Sequence, residues 1–406
     1  MNKGFFRSAE LAGKAPRSLA SHCGLCGLYK HCQSPKMPAT GEGRKKILVL
    51  AEAPGAEEDR RNIQLIGKAG KRLRRSLRKL KISLDRDCWK TNSIICRREE
   101  NKTPEDYMIE ACRPNLIKTI KKYNPNLILL LGGVALKSLL PVVWDKDVGA
   151  AGRWGGYCIP CQELNVWIVA TYHPSFLLRK HDVVLDKIFQ RHLRLMLGKY
   201  KNKPWQQHPN YEDHIEIIMR PSRAAKFIKN MIKKGGVVAF DYEANCLKPE
   251  WEKSEIITCS VCWNGKKTIA YPFTAEAIEA TDLLLKSSST QKIASNLKFE
   301  DRWSRAKFGH PVRNWYWDTM LAAHVLNNTP DTTSIKFQGF VRLGMKPWDT
   351  HIEPYLKSGK SSPYNRIKEL DMKDLLLYNG LDSFIEYKVA MEQIKQFRYI
   401  RNLEKH

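Results

Sequence analysis

The chain has 406 residues, 69 of them lysine or arginine against 42 aspartate or glutamate, and its formal net charge is +27. This length allows two or three domains, and the hydrophobic fraction of 43% excludes wholesale disorder. Polar and helix-breaking residues interrupt the most apolar stretch, 126–144, and residues 1–20 contain no apolar segment. We therefore expect neither a membrane span nor a secretory signal, and the positive charge favours a polyanionic partner such as nucleic acid.

Three short apolar runs in the first half of the chain each end in a turn, and they predict buried strands at 46–51, 126–131 and 166–170. Helical patterns separate these runs, which is typical of a parallel α/β sheet. Ligands of such sheets bind at the carboxyl ends of the strands. Glu52 and His173 follow two of the predicted strands, so we expect them at a binding site.

The chain divides by composition into four segments: a basic tail at 1–20, a first domain at 21–197, a polar linker with two prolines at 198–211 and a second domain at 212–406. The tail is predicted to be a flexible terminus. The second domain begins with strand patterns, predicted at 237–240, 256–261 and 268–273. Helical patterns dominate it from about residue 318 onward.

Eleven cysteines are an odd number and a high count, which favours metal or cluster ligation over a disulfide framework. The candidate ligands are Cys23, Cys26, Cys96 and Cys112. Four thiolates suit either tetrahedral zinc or an iron–sulfur cluster. Two further CxxC pairs, at 158–161 and 259–262, lie in strand patterns and are interpreted as buried structural cysteines.

The segment Ala51–Asp59 (AEAPGAEED) resembles the GEAPGxxED motif of family 4 uracil-DNA glycosylases. Further matches follow in the family's order, at Gly67–Gly70, Thr91–Arg97, Asn101–Pro104 and Tyr172–Ser175. The resemblance covers about residues 20–195. It implies an α/β/α glycosylase-like fold and a [4Fe-4S] cluster held by the four candidate cysteines.

The same resemblance implies roles for individual residues. A glycosylase flips a base into a pocket and reads its Watson–Crick edge, which the amide of Asn92 can do. Glu52, with Glu58 nearby, can orient the attacking water, and His173 can stabilise charge on the departing uracil. Asn101 is a further substrate-binding candidate. Leu65 stands where the family has an aromatic residue that stacks on uracil, so we predict weak or absent excision.

Seven of the eleven residues from Lys71 to Lys81 are basic, while Leu73, Leu77 and Leu80 recur at helical spacing. This pattern predicts an amphipathic helix with an apolar stripe and a cationic outer face. The cationic face either contacts the phosphate backbone of a nucleic acid or is simply solvated.

The second half contains acidic residues at motif-like positions. Asp241 and Glu243 follow a predicted strand and point to the same side because they are two residues apart. Tyr378 and Asp382 share one face of a helix. Paired carboxylates suit hard cations such as Mg²⁺ or Mn²⁺, and Tyr378 can orient an attacking water.

The order DxE, then Asn296 with Glu300, then YxxxD resembles the DEDDy subgroup of 3′–5′ exonucleases, as in the proofreading domains of family A DNA polymerases. This resemblance runs from about residue 211 to 406. It implies a ribonuclease H-like fold with a mixed sheet, a two-metal site with Asp241, Glu243 and Asp382 as ligands, and Asn296 as a substrate-binding residue. The family's third acid is aspartate, whereas this chain has Glu300 in register and Asp301 one residue later, so both are candidates.

Certain phage DNA polymerases resemble a glycosylase-like region followed by a proofreading exonuclease and a polymerase. The chain is similar to the first two parts. We therefore expect a phage-type replication or repair protein that acts on DNA, at single strands or 3′ ends, beside a separately encoded polymerase. Its expected location is the cytoplasm, of the host if it is phage-encoded. The alternative is a non-catalytic, cluster-bearing clamp that presents DNA to a polymerase.

Overall fold

A computed structural model describes residues 22–359 and 362–403, without the side chains of 401–403, so the predicted tail at 1–20 lies outside the described residues. Its strands are β1 (Ile47–Ala51), β2 (Cys88–Asn92), β3 (Leu127–Leu131), β4 (Cys158–Cys161), β5 (Val166–Thr171), β6 (Ile215–Ile217), β7 (Gly236–Ala244), β8 (Ile256–Trp263), β9 (Lys267–Pro272), β10 (Thr290–Ala294) and β11 (Trp315–Asp318). Its α-helices are α1 (Cys23–Cys26), α2 (Ala56–Arg61), α3 (Lys68–Arg78), α4 (Asp106–Tyr123), α5 (Gly132–Val143), α6 (Pro174–Lys180), α7 (Val183–Arg194), α8 (Pro221–Lys234), α9 (Ala275–Lys286), α10 (Lys298–Phe308), α11 (Thr319–Leu326), α12 (Ile335–Leu343), α13 (Glu353–Leu356) and α14 (Met372–Leu403). None of the helices in these ranges is both long and apolar enough to traverse a bilayer.

The first sheet has the strand order β2-β1-β3-β5-β4. Four strands are parallel, and β4 is antiparallel to β5 at one edge. The three predicted strands are present, which confirms the predicted α/β class. The apolar-run pattern missed β2 because this strand carries a buried lysine, Lys90, whose charge is paired with Asp85.

The second sheet has the order β11-β10-β7-β8-β9-β6. The central strand β8 is antiparallel to both β7 and β9, whereas β10 pairs in parallel with β7 and β11, and β6 pairs in parallel with β9. The sheet is therefore mixed, as predicted. Phe240, Val261 and Ile269 from its central strands are fully buried and form part of the hydrophobic core of this unit.

The predicted basic helix is present as α3, and it ends at Arg78 rather than at Lys81. Leu73 and Leu77 are fully buried, so the apolar stripe packs into the core of the first sheet. On the outer face Arg72 pairs with Asp186 at 2.5 Å and Arg74 with Asp85 at 2.7 Å. Within the part of the chain that the structure describes, Arg75 and Arg78 have no acidic partner and are available to an anionic ligand.

The chain separates into two compact units between His208 and Pro209, and residues 340–346 group with the first unit. The segment predicted as a linker is folded onto that unit over much of its length. The side chain of Asn126 donates to the carbonyl of Tyr200 at 2.9 Å, and the indole of Trp205 donates to the carbonyl of Pro160 at 2.8 Å. The two prolines and polar composition do not reveal these contacts, because the partners lie 40 or more residues away in the sequence.

Asp318 ends β11 and caps α11. Its carboxylate accepts hydrogen bonds from the backbone amides of Met320 and Leu321, and also from those of Asn296 and Leu297. This side chain therefore fixes the loop that leads into α10. Asp318 is engaged by backbone donors and is not part of the carboxylate trio described below.

Candidate functional sites

The four candidate cysteines of the first unit line one small cavity. Cys23 and Cys26 come from α1, Cys96 from the loop after β2, and Cys112 from α4. The cavity also exposes the apolar side chain of Ile94. An apolar wall of this kind excludes water from a bound group.

The surroundings of these thiols fit a bound metal cluster. The backbone amide of Lys36 donates to the Cys96 sulfur at 3.2 Å, and the Asn115 amide to the Cys112 sulfur at 3.7 Å. Burial raises the pKa of Cys96 to about 12 and also raises that of Cys112, so both thiolates need a cation to be stable. Among the described residues, no three of these four sulfurs lie within 4.8 Å of one another.

A second cavity, of about 500 Å³, opens at the carboxyl ends of the parallel strands in the first unit. Glu52 follows β1 and His173 follows β5, and both line this cavity together with Arg179. Burial raises the pKa of Glu52, and the Arg179 guanidinium opposes that rise. Burial of this carboxylate therefore favours its neutral form, and Arg179 favours its charged form.

His173 is neutral and its tautomer is fixed by its neighbours. Burial, with a smaller effect of Arg179, lowers the pKa of His173 to about 4. The backbone amide of Ser175 donates to its Nδ1 at 3.3 Å, so Nδ1 is the acceptor nitrogen and Nε2 carries the proton. His173 is thus arranged as a neutral hydrogen-bond donor.

The other predicted residues of this unit do not line that cavity. Asn92 is buried, and its amide donates to Gln64 while its oxygen has no partner in the described residues. Leu65 is packed in the hydrophobic core. The Glu58 carboxylate accepts from two backbone amides, at 3.0 and 2.8 Å, and closes the loop before α3. Asn101 lies at the surface, where it accepts from Arg97.

Gln64 is a residue that the sequence reasoning missed. It is fully buried, donates to the carbonyl of Pro38 at 3.2 Å and accepts from Asn92. The sequence offered one indication of its importance: Gln64 directly precedes Leu65, in the segment that departs from the family pattern. The Gln64 side chain therefore satisfies the amide of Asn92.

In the second unit, three acidic side chains come together. Asp241 and Glu243 lie near the end of β7, Asp382 lies on α14, and one ligand atom from each falls within 4.8 Å of the others. The amide of Asn379 donates to Asp241 at 2.6 Å. Burial, and next the Asp382 carboxylate, raise the pKa of Asp241 well above its ordinary value. A divalent cation would relieve this repulsion, and three carboxylates are the donor set that Mg²⁺ or Mn²⁺ prefers.

Lys336 is a second residue that the sequence reasoning missed. Its buried ammonium donates to Asp382 and, at 3.2 Å, to the hydroxyl of Tyr378. It also lies 4.5 Å from the ring centre of Trp348, whose indole donates to Asp382 at 2.8 Å. Lys336 precedes Tyr378 by 42 residues, so no local sequence pattern connects the two. Only the folded structure shows their contact.

The two candidates for the third acid differ in their surroundings. Glu300 is buried in the first turn of α10, and after burial the strongest influence raising its pKa is Asp241. Asp301 instead accepts from the amide of Val312 at 2.9 Å and from Arg305 at 2.7 Å. Asn296 is exposed, and its backbone has the left-handed φ of 65°. Glu300 therefore faces the acidic cluster, and Asp301 has a local structural role.

Comparison with known proteins assigns both units to families. Residues 38–201 match the uracil DNA glycosylase superfamily, and residues 215–346 match a 3′–5′ exonuclease family of the DNA polymerase A type. The type-4 uracil-DNA glycosylase of Pyrobaculum aerophilum is 32% identical over 182 residues, which are 44% of this chain and 90% of that protein. The chain belongs to the type-4 uracil-DNA glycosylase family and also carries a 3′–5′ exonuclease domain.

A relative with both regions is the DNA polymerase of Bacillus phage SP01, which is 32% identical over 320 residues. That alignment covers 72% of this chain and 34% of the polymerase, so the chain spans about a third of that relative's length. Among solved structures, RNase D of Escherichia coli has a TM-score of 0.36 and 10% identity over 46% of this chain and 45% of its own. The chain is a DNA-processing protein with a nuclease domain.

We predict that the purified chain is brown, absorbs at about 400 nm and contains about four iron atoms. Cys112→Ser should lose most of the iron and the colour, because it removes a thiolate that lines the cavity. The matched control is Cys32→Ser, since Cys32 lies near Cys96 without lining the cavity and should be dispensable. Iron analysis and absorbance measure both. Zinc in place of iron, or equal iron in Cys112→Ser, would contradict the cluster.

Proposed function

We propose that the second unit removes nucleotides from DNA 3′ ends with Mg²⁺ or Mn²⁺ bound by Asp241, Glu243 and Asp382. The observation that supports this is the convergence of these three carboxylates within 4.8 Å in a domain of the exonuclease family. Bound metal ions would supply charge stabilisation for the attacking and leaving oxygens of the phosphodiester. The protein's own groups hold those ions and orient the reactants.

Tyr378 is proposed to orient the attacking water. Its hydroxyl lies one helical turn before Asp382, accepts from Lys336 and donates to the Asp382 carboxylate. A metal ion held by Asp382 would compete for that carboxylate and let the hydroxyl turn to a water oxygen. Burial and the neighbouring carboxylates raise its pKa well above the ordinary value, and the phenol stays protonated. Lys336 is a positioning residue in this scheme, because it holds the hydroxyl of Tyr378 and the carboxylate of Asp382 together.

The decisive experiment is digestion of a 5′-labelled single-stranded DNA from its 3′ end in the presence of Mg²⁺. We expect wild type to give a ladder that EDTA abolishes. Asp241→Ala and Glu300→Gln should slow digestion by at least about 100-fold, since several kcal/mol of transition-state stabilisation depend on metal-holding carboxylates. Asp301→Asn is the matched control for the third acid and should digest like wild type. The absence of a ladder, or digestion by Asp241→Ala at the wild-type rate, would favour the non-catalytic clamp.

For the first unit, we propose a DNA-binding role in which uracil excision is weak or absent. Two observations support it: the amide of Asn92 is engaged by Gln64, and Leu65 is packed in the core and has no aromatic ring. Arg75 and Arg78 on α3 are proposed to contact phosphates. The catalytic pair Glu52 and His173 still lines a cavity, so the deficit lies in base recognition.

A uracil-containing oligonucleotide tests this proposal. Wild type should release uracil slowly or not at all, and Gln64→Pro with Leu65→Phe should release it faster, because the change frees Asn92 and adds a stacking ring. Glu52→Gln in the double variant is the control and should abolish the gain. Rapid uracil release by wild type would overturn the proposal.

We also propose that the chain serves phage-type DNA replication together with a DNA polymerase. The alignment with a phage DNA polymerase over 72% of the chain supports this. In primer extension from a mismatched 3′ end, added wild type should let an exonuclease-deficient polymerase extend the primer, whereas Asp241→Ala should not. If wild type neither restores extension nor co-purifies with the polymerase, the partnership is wrong.

A further inference from the structure

A shallow cavity of about 870 Å³ runs along helix α8 of the second unit, and most of its charged lining is basic. The basic residues that line it are Arg223, Lys226, Lys229, Lys233 and Lys267, and the acidic ones are Glu216 and Glu276. We call this cavity the basic groove. Its lining carries a net positive charge of three, which favours an anionic ligand.

Glu216 neutralises part of this charge, because it pairs with Arg223 at 2.5 Å and with Lys267 at 2.6 Å. The remaining lysines of the groove are Lys226, Lys229 and Lys233. They are exposed and, among the residues that the structure describes, none of them forms an ion pair with a carboxylate. Like charges three and four residues apart on a helix repel one another. An anion bound along the helix would relieve that repulsion.

These three lysines form one row on α8. Since they are spaced by three and four residues, their side chains leave the helix within an arc of about 60° and along about 10 Å of its length. The phosphates of one DNA strand recur about every 3.4 Å along the axis of a stacked helix. The row is therefore long enough to contact several successive phosphates of one strand.

An aromatic ring lies among the cations of the basic groove. Phe227 lines the groove, is partly exposed, and has the ammonium of Lys267 at 5.0 Å from its ring centre. Trp263 packs edge-to-face against this ring, with 6.4 Å between the ring centres, and holds its orientation. Unpaired bases stack on aromatic side chains beside a cationic track, so this combination favours single-stranded over duplex DNA.

The basic groove and the carboxylate trio lie on opposite faces of the second sheet. Successive side chains of β7 point to opposite sides of the sheet. Phe240 packs with Ile228 of α8 in the hydrophobic core, whereas Asp241 and Glu243 meet the carboxylate that α14 contributes. The lysines of α8 therefore do not neutralise the trio, and they remain available to a separate anion.

We propose that the basic groove binds single-stranded DNA, with its three unpaired lysines on the phosphates and Phe227 against a base. The inference rests on the proposed action of the chain on DNA 3′ ends and deepens it. DNA held on this face would keep the chain near its substrate after each cleavage at the other face. The groove would therefore increase the affinity for the strand without contacting the bond that is hydrolysed.

The salt dependence of DNA binding tests this proposal without reference to catalysis. Binding of the full chain to a fluorescent oligothymidylate is measured by anisotropy in EDTA, which prevents digestion. Lys226→Gln, Lys229→Gln and Lys233→Gln are combined in one groove variant, because glutamine keeps the helix propensity of lysine and removes its charge. A plot of log affinity against log salt concentration should become shallower by about 2, and the affinity at low salt should fall at least about tenfold.

A matched control removes three lysines that pair with carboxylates elsewhere on the second unit: Lys357→Gln, Lys368→Gln and Lys395→Gln. It loses the same net charge and should keep the wild-type slope. An equal change of slope in this control overturns the proposal, because the effect would then be one of net charge alone. A wild-type slope in the groove variant also overturns it, and would make an acidic protein the better partner for the groove.

Phe227→Leu tests the preference for a single strand. It removes the ring and leaves every charge in place, so binding should weaken several-fold while the salt slope stays unchanged, because stacking releases no counterions. Wild-type affinity of this variant would contradict the stacking role. Failure of the exonuclease function would appear separately, as absent digestion with Mg²⁺ by a chain whose groove variant has lost DNA affinity.

Discussion

The burial of like charges is the constraint on which the second unit depends. Asp241, Glu243 and Asp382 converge in a region largely closed to water, where each carboxylate raises the free energy of its ionised neighbours. Such a cluster is stable only if other interactions offset the repulsion between its carboxylates. Lys336 supplies one positive charge, and Asn379 supplies a directed hydrogen bond. The remaining excess of negative charge would attract a divalent cation, so the same repulsion that costs stability would favour metal binding.

In the first unit, by contrast, a buried polar side chain is paired with another side chain of the protein. Asn92 ends a strand at the edge where ligands bind, and an open amide there would be ready to recognise a base. The chain instead places Gln64 against it, so that protein rather than substrate accepts the hydrogen bond. The cavity with Glu52 and His173 is retained. If Asn92 is the base-reading residue, as proposed, the domain keeps Glu52 and His173 at its cavity while the Asn92 amide is turned inward.

The elements that could be predicted from the sequence are those with a local pattern of apolar residues. Apolar runs predicted β1, β3 and β5, and the spacing of leucines predicted α3. Gln64 and Lys336 were not predicted, because each contacts a partner that only the tertiary fold brings near. Strand β2 was not predicted because it contains the buried Lys90. The choice between Glu300 and Asp301 shows the same limit. Adjacent acids are equivalent in the sequence, but a helix turns their side chains about 100° apart, and only one can face the cluster.

The long helix α14 has a geometric consequence of its own. Tyr378, Asp382 and Glu386 are spaced by four residues, whereas one turn takes 3.6, so each side chain is rotated by about 40° from the one before. Over these three residues the helix presents an arc of about 80° and rises about 12 Å. A strictly stacked row would aim all three groups along one line. The drift gives each side chain its own direction, so one rigid helix holds a phenol and two carboxylates in a fixed spatial order.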